Sequence, residues 1–256
     1  MIVTAKDEWL AGVDGCPGGW IVAFVRPAGD EVRIAVVPRF ADVLAAPERA
    51  VVVAVDMPIG LPDWGGREAE VAIRRELGTR KRSVFPVPSR KAVYAETNIA
   101  AAPGERRLAH QRACAVAAAT SRPPKRIPIQ TFSVLPKIRE IDALLCADMA
   151  LVARVFEVHP ELAFWRLNGE RALDLPKKVR SRCHEPGLAL RRSLLTAAGL
   201  PAAVANAPPP KGAGPDDLLD ALACAAVARR LSAGIARPFP DPPLRDACGL
   251  PMAIWA

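Results

Sequence analysis

The sequence predicts an α/β protein in which helices flank a mixed β-sheet and a large helical insertion separates two of its strands. Three observations predict this class. Short apolar stretches typical of strands dominate residues 10–60, whereas segments with helical periodicity dominate residues 67–231. Residues 51–55 form a nearly continuous apolar run, which is typical of a central strand buried on both faces. About half of the 256 residues are hydrophobic (51%), which is enough to bury the core of one large domain.

The first predicted elements are strands joined by short connections. Residues 10–13 lead into a turn rich in glycine and proline, and residues 20–25 form the apolar return strand of a hairpin. A third strand follows over 31–40, a short helix over 41–48 and the buried strand over 50–60. The sheet therefore begins with a hairpin and continues to a strand that is covered on both faces.

Helices and basic loops make up most of the remaining chain. The pattern predicts helices over 67–77, 105–119, 136–148, 186–200 and 215–231, and a strand followed by a helix over 150–165. Pro160 is expected as the first residue of the helix in the last of these segments. Residues 201–215 have no periodicity and are predicted to form a linker.

The net charge of +8 is distributed unevenly along the chain. Residues 1–63 contain five basic and nine acidic side chains, whereas residues 67–91 contain eight basic and three acidic ones. Residues 105–126 and 171–192 also have an excess of arginine and lysine. An acidic core with basic extensions is typical of a protein whose partner carries phosphates. Arginine-rich surface helices that only maintain solubility produce the same pattern, so charge alone leaves both explanations open.

Two features predict a cytoplasmic location. The beginning of the chain lacks the charged start, long apolar centre and cleavage site of a signal peptide, and no apolar run approaches the about 20 residues that a membrane helix needs. The six cysteines are scattered without a C-x-x-C pair, so we expect reduced thiols rather than disulfides. Cys183 and His184 are adjacent, but without a second pair of ligands they do not predict a zinc site.

Three predicted strands end in a carboxylate. Asp14 follows the first strand, Asp56 follows the valine-rich strand, and Glu157 follows the strand that precedes Pro160. Burying an ionised carboxylate without a partner is costly, so each of these residues needs hydrogen bonds, a cation or a metal ion. The three residues are therefore candidates for catalysis and for metal binding.

Two further carboxylates lie three residues apart in the helix predicted over 215–231. Asp217 and Asp220 therefore share one helix face, which is otherwise lined by alanine and leucine and is expected to face inward. Capping of the helix start is an alternative role that suits Asp217 and fits Asp220 poorly, because Asp220 already lies within the first turns. Clustered carboxylates repel one another, so either one takes up a proton or a hard cation neutralises them. Mg²⁺ and Mn²⁺ prefer oxygen ligands, and either ion is the predicted cofactor.

Four basic side chains are candidates for substrate binding. His159 lies two residues after Glu157 and would project to the same side of a continuing strand, where it could assist proton transfer; an ordinary loop histidine is the alternative. Lys137 could contact a phosphate or pair with the acidic residues of its own predicted helix. Lys177 and Lys178 are better candidates for phosphate binding, because the surrounding loop is basic throughout.

Seven segments of the chain resemble, in order, the motifs of one protein family. These segments are GVDGCPGGW, AVDMPIGLP, RSVFPVPSRKAVYA, PKIREID, FEVHPELAFWRLNG, PKKVR and DDLLDALACAAVARR. Together they are similar, over about residues 10–232, to an uncharacterised bacterial and archaeal family of predicted RNase H-like nucleases. The order of the predicted elements is also the layout of the RNase H fold: a hairpin with an aspartate, a third strand, a helix, a parallel strand with a terminal carboxylate and a late acidic helix.

The resemblance implies an RNase H-like domain that spans 1–256. Because the stretch 61–150 is far longer than a simple crossover between strands, we expect it to form a helical insertion that caps the site. Relatives often carry aspartate in place of Glu70 and serine in place of Arg82, so the resemblance assigns no role to that loop. The core carboxylates follow the family pattern.

The resemblance also implies a metal-dependent hydrolase whose carboxylates gather at one end of the sheet. These carboxylates are Asp14, Asp56, Glu157 and one or both of Asp217 and Asp220. The expected partner is DNA or RNA, and the expected reaction is hydrolysis of phosphodiester bonds. Because only 5% of the residues are aromatic, we expect contacts with backbone phosphates and with the shape of a duplex or junction, rather than extensive base stacking.

Two other functions stay open at this point. An ATPase or phosphotransferase of the actin-like branch could hold phosphate through the backbone amides of DGCPGGW, although such enzymes usually need two copies of the fold and the chain lacks a G-x-x-x-x-G-K-[ST] loop. A nucleic-acid-binding module without activity is the other alternative. The complete set of carboxylates argues against that alternative.

Overall fold

The computed structural model describes residues 8–28, 31–97 and 102–256, and a five-stranded sheet forms its centre. The strands are β1 (Leu10–Cys16), β2 (Gly19–Val25), β3 (Val32–Val37), β4 (Val52–Val55) and β5 (Val155–Glu157). Their order in the sheet is β3-β2-β1-β4-β5. The first three strands pair antiparallel, whereas β4 runs parallel to both β1 and β5. This mixed sheet with flanking helices confirms the predicted α/β class.

Helices surround the sheet and connect its strands. They are α1 (Phe40–Leu44), α2 (Glu68–Glu76), α3 (Arg90–Val93), α4 (Pro103–Ala119), α5 (Ile129–Ala147), α6 (Pro160–Leu167), α7 (Glu185–Ala197), α8 (Ala202–Ala205) and α9 (Pro215–Ser232). Gly78–Ser83 and Met149–Ala153 form 3₁₀ helices. Outside the central sheet, β6 (Lys178–Val179) pairs with β7 (Arg182–Cys183), and β8 (Pro238–Arg245) pairs with β9 (Pro251–Trp255). Within the described ranges, no helix has both the length and the hydrophobicity needed to cross a membrane.

Helix α9 packs directly on β1 and β4 at the centre of the sheet. The small alanine side chains of α9 let the helix approach the sheet closely, and Gly12 on β1 has no side chain to prevent this approach. A Cβ atom at Gly12 would collide with the backbone of Ala221 and Ala225, so only glycine permits this approach. The contact fixes the position of Asp220, which immediately precedes Ala221, relative to the end of β1.

The opposite face of the sheet is covered by α1, α4 and α5. The rings of Trp20 and Phe40 meet edge to face there, with their centroids 5.2 Å apart. Phe132 and Leu135 of α5 are fully buried in the same core. Burial of these large apolar side chains holds α5, and the residues that it carries, firmly against the sheet.

Several boundaries differ from those expected: helix α8 lies within the predicted linker 201–215, and two of the other differences occur at a proline or a tight turn. Helix α5 begins at Ile129 rather than at residue 136, because it continues through Pro136. A proline inside a helix removes a backbone hydrogen bond, which is why the pattern predicts a helix start there. The strand expected from residue 150 is limited to β5, since Met149–Ala153 turns as a 3₁₀ helix. The segment 61–150 contains α2 to α5, and its separation as a cap stays a prediction.

The hairpin of β8 and β9 is absent from the sequence-based expectation. Four prolines in the stretch PFPDPPLR interrupt the alternation that identifies strands, and such prolines are tolerated where the strand lies at an edge. The hairpin contacts α2, and Trp255 of β9 forms a parallel bridge with Val158 just after β5. The β8–β9 hairpin therefore lies next to β5, the edge strand of the central sheet.

Candidate functional site

Three aspartates from different elements meet at one edge of the sheet. Asp14 lies near the end of β1, Asp56 directly follows β4, and Asp220 lies in the second turn of α9. Each offers one carboxylate oxygen, and the three oxygens lie within 4.8 Å of one another. Parallel pairing explains the first two positions, because β1 and β4 are neighbours whose carboxyl ends share an edge. The close packing of α9 on β1 supplies the third.

The aspartate cluster (Asp14, Asp56 and Asp220) is largely shielded from water. Asp14 is 7% exposed and Asp220 is 2% exposed, whereas Asp56 is partly exposed. Burial raises the pKa of all three carboxyl groups, and repulsion by neighbouring carboxylates adds to the pKa of Asp14 and Asp56. The pKa of Asp56 is raised to about 8. Without a bound cation, the cluster therefore binds protons more tightly than isolated aspartates do.

Lys177 reaches the aspartate cluster from the loop that precedes β6. Its Nζ donates a hydrogen bond to Oδ2 of Asp220. Burial opposes the charge of Lys177, but the carboxylates of Asp220 and Asp14 outweigh this effect and raise its pKa above the ordinary value. The second oxygen of Asp220, Oδ1, is buried and has no hydrogen-bond partner within the described part of the chain. One lysine thus neutralises the cluster only in part, and a buried acceptor keeps its capacity for a ligand.

Glu157 lies at the end of β5 but is held by other partners. Its carboxylate accepts hydrogen bonds from Nη1 and Nη2 of Arg67, at 2.8 and 2.6 Å, and from the backbone N–H of Ile59 at 2.7 Å. Burial raises the pKa of Glu157 to about 7, against the opposing effect of Arg67. Among the described residues, the converging oxygens belong to the three aspartates. The sequence analysis placed Glu157 in this cluster, but in the structure its carboxylate lies with Arg67 instead.

Arg67 is the residue that the sequence analysis missed. Its side chain is 1% exposed and also forms an ion pair with Glu70, three residues further on. These two residues begin α2 together, because the Glu70 carboxylate also accepts a hydrogen bond from the backbone N–H of Arg67. The spacing of Arg67 and Glu70 is a local signal for that contact. No local signal marks the pairing with Glu157, which is 90 residues away.

Asp217 lies in the first turn of α9 and contributes no oxygen to the converging set. Its Oδ2 accepts a hydrogen bond from the backbone N–H of Gly214 at 2.8 Å, which is the capping role left open by the sequence. The preceding Asp216 forms an ion pair with Lys178 at 2.6 Å. Lys178 is therefore an exposed residue beside the cluster, already paired with an acidic side chain, and only Lys177 contacts the cluster itself.

Lys137 lies on α5 beside the turn between β1 and β2. Its Nζ donates a hydrogen bond to the carbonyl oxygen of Gly19 and lies 4.5 Å from the ring centroid of Trp20. Burial lowers its pKa. The acidic residues of α5 bind other groups: Glu140 accepts from Trp20 and from the backbone of Phe40. Within the protein, Lys137 thus binds a backbone carbonyl and contacts an aromatic ring.

A cavity of about 450 Å³ lies beside the aspartate cluster. Asp14, Asp56 and Lys177 line it together with Glu157 and His159. Burial lowers the pKa of His159, and its Nδ1 has no hydrogen-bond partner among the residues that the structure describes. The cavity is therefore lined by part of the aspartate cluster, a lysine and an imidazole whose charged form is disfavoured by burial and whose Nδ1 has no described partner.

Comparison with known proteins gives one match. The sequence model of a family described as "Protein of unknown function (DUF429)" matches residues 12–245. Neither the search of curated proteins nor the search of solved structures finds a significant match.

Proposed function

Because the chain belongs to the DUF429 family, which is described as being of unknown function, we propose a function from its own site. The proposal is a metal-dependent nuclease that hydrolyses phosphodiester bonds of nucleic acid. The observation that carries it is the convergence of Asp14, Asp56 and Asp220 within 4.8 Å, beside a cavity that also contains Lys177 and His159.

The aspartate cluster fits Mg²⁺ or Mn²⁺. Both ions prefer carboxylate oxygens, and a divalent charge relieves the repulsion that raises the pKa of Asp14 and Asp56. Oδ1 of Asp220 is a buried acceptor whose hydrogen-bonding capacity is unused. When bound, such an ion lowers the pKa of a coordinated water and stabilises the charge that develops on a phosphate.

The chain's own residues hold the ion and the substrate in this proposal. The three aspartates supply oxygen ligands from a sheet edge and a helix that are packed rigidly together. Lys177 fixes the orientation of the Asp220 carboxylate through its hydrogen bond, and its charge attracts a substrate phosphate. His159 faces the cavity and takes up or releases a proton at Nδ1.

Two further features favour nucleic acid as the substrate. The basic segments predicted to contact phosphates include the hairpin of β6 and β7, which begins next to Lys177 and contains Lys178 and Arg182. The strand order β3-β2-β1-β4-β5, with an acidic helix against β1, is compatible with the RNase H-like layout that the sequence resembles. Enzymes of that layout supply the analogy for the reaction, which stays a proposal for this chain.

A cleavage panel tests the proposed function. Single-stranded DNA, single-stranded RNA, duplex DNA, an RNA–DNA hybrid and a branched junction are incubated with the protein in Mg²⁺ or Mn²⁺. We expect cleavage of at least one substrate, inhibition by EDTA, and loss of cleavage in Asp14→Asn. The matched control is Asp216→Asn, which removes a carboxylate from α9 but leaves the aspartate cluster complete.

Two results would contradict the proposal. One is the absence of cleavage for every nucleic acid in the panel. The other is cleavage that persists in Asp14→Asn, which would indicate a contaminating enzyme or a different site. Hydrolysis of ATP with the same dependence on Asp14 and on divalent ions would favour the phosphotransferase alternative instead.

A further inference from the structure

The cavity beside the aspartate cluster has a largely apolar wall that phosphate chemistry alone does not require. Residues 84–88, with the sequence VFPVP, form part of this wall, and Val134 and Ile138 of α5 extend it. The volume of about 450 Å³ is that of a pocket for a small organic group, since such pockets span roughly 300–1,000 Å³. Apolar walls suit a planar base and not the charged backbone of a nucleic acid.

Polar side chains of Ser83, Gln130 and Thr131 line the cavity beside this apolar wall. Thr131 lines the cavity from α5 and is 7% exposed, and its Oγ1 is buried with no hydrogen-bond partner in the described ranges. A buried hydroxyl without a partner is unfavourable and is usually explained by a bound group or an ordered water. Because Thr131 lines the cavity, its unused hydroxyl is a candidate partner for the polar edge of a ligand whose faces contact the neighbouring apolar side chains.

An exposed aromatic ring lines the cavity, and exposed cations follow or precede two of its lining residues in the chain. Phe85 lines the cavity and is nevertheless 45% exposed. The 3₁₀ helix just before it contains Lys81 and Arg82, and the hairpin after Lys177 contains Arg180 and Arg182. Across the part of the chain that the structure describes, none of these last four cations forms an ion pair. Cations placed along the path of a nucleic-acid backbone, together with an aromatic ring on which a base can stack, are typical of sites for single-stranded nucleic acid.

We infer that the cavity holds one unpaired nucleotide of a single-stranded nucleic acid, an inference that rests on the proposed nuclease function. The base lies against residues 84–88 and Val134, Thr131 bonds its edge, and the phosphate lies at the aspartate cluster. Phe85 stacks on the neighbouring base, and the exposed cations bind the flanking phosphates. A paired base inside a duplex does not fit this arrangement, because it would have to leave its helix to enter the cavity. One enclosed base is consistent with a chain that has few aromatic residues.

The test compares cleavage of three substrates by the protein in Mn²⁺: a single strand, the same strand in a duplex, and the same strand with abasic sites throughout. Cleavage of the single strand is also measured for the variants Phe85→Ala and Thr131→Val. We expect the single strand to be cleaved at least about tenfold faster than the duplex and the abasic strand. Phe85→Ala should lower kcat/KM by about fivefold or more, as expected for loss of a stacked base, and Thr131→Val by about twofold or more. Trp64→Ala and Thr196→Val are matched controls that change an exposed aromatic and a threonine outside the cavity.

The outcomes separate this inference from the proposed function. If the duplex and the abasic strand are cleaved as fast as the single strand, and Phe85→Ala equals Trp64→Ala, the inference is wrong while the nuclease function stands. If no nucleic acid is cleaved in an Asp14-dependent way, the proposed function is wrong and the inference falls with it. Circular dichroism of each variant verifies that the fold is retained.

Discussion

The ammonium group of Lys177 binds the buried carboxylate of Asp220, so the aspartate cluster contains a cation of its own. A lysine in this place has two effects. It stabilises the metal-free protein by neutralising part of the cluster, and it opposes a divalent ion by occupying one carboxylate oxygen and adding positive charge. The two effects can be measured separately.

Replacing this lysine should change the stability of the metal-free protein and its response to metal in opposite directions. In EDTA, Lys177→Met should lower the free energy of unfolding by about 1–3 kcal/mol, because Asp220 loses its partner in a buried site. In Mn²⁺, the gain in melting temperature over EDTA should be larger than for the wild type, since the competing charge is gone. Thermal unfolding in both buffers measures the two quantities.

Lys178→Met is the matched control for this prediction. Lys178 is adjacent in sequence, but it pairs with Asp216 outside the aspartate cluster and is exposed. Its replacement should change stability by about 1 kcal/mol or less, because the Lys178 side chain is 44% exposed and water screens its charge, and should leave the response to Mn²⁺ unchanged. A response to Mn²⁺ that shrinks in Lys177→Met would contradict the view that lysine and metal compete.

Asp14→Asn should remove most of the stabilisation by divalent ions. A ligand at about 100 times its Kd adds about 2.7 kcal/mol to the free energy of unfolding, and losing one of three oxygen ligands weakens that binding. In EDTA the same variant should be as stable as the wild type or more stable, because burial and repulsion disfavour the charge of Asp14. Equal melting temperatures of the wild type in Mg²⁺, Mn²⁺ and EDTA would count against a metal site.

Much of the aspartate cluster is predictable from local patterns. Asp14 and Asp56 each follow an apolar strand, and parallel strands place their ends at one edge. Asp220 lies three residues from Asp217 on an inward helix face, so helical periodicity predicts its direction. Gly12 shows the limit of this reasoning. The sequence marks it only as a glycine in a strand, whereas its role depends on the backbone of a helix that lies over 200 residues away in the chain.

The partners of Glu157 and the end of the chain are not predictable in this way. Both Glu157 oxygens are bound by Arg67, which comes from a loop after β4 and meets β5 only in the folded protein. The hairpin Pro238–Trp255 contains prolines that argue against strands, and tertiary contact with α2 and Val158 decides its structure. Contacts between distant segments, rather than local propensity, determine these features.

The metal-free protein should lose stability as the pH rises. The pKa of Asp56 is raised in the folded state to about 8 from an ordinary value of 3.8, chiefly by burial and then by repulsion from Asp220. The folded state therefore binds this proton more tightly than the unfolded chain, and its stabilising effect is lost between about pH 4 and pH 8. Urea unfolding in EDTA across this range should show a steeper decline for the wild type than for Asp56→Asn. Parallel curves would contradict a raised pKa at Asp56.

Glu157→Gln should separate a structural role of this residue from metal binding. The substitution weakens a buried ion pair with Arg67, which keeps its contact with Glu70, so we expect the free energy of unfolding to fall by about 3 kcal/mol. The gain in melting temperature from Mn²⁺ should persist, because both Glu157 oxygens are already bound by protein donors. Asp142→Asn, which weakens the pairing of a buried aspartate with the partly exposed Arg90, is the control and should also leave the response to Mn²⁺ unchanged. If Glu157→Gln instead abolishes the response to Mn²⁺ as Asp14→Asn does, Glu157 is a metal ligand and must exchange Arg67 for the ion on binding.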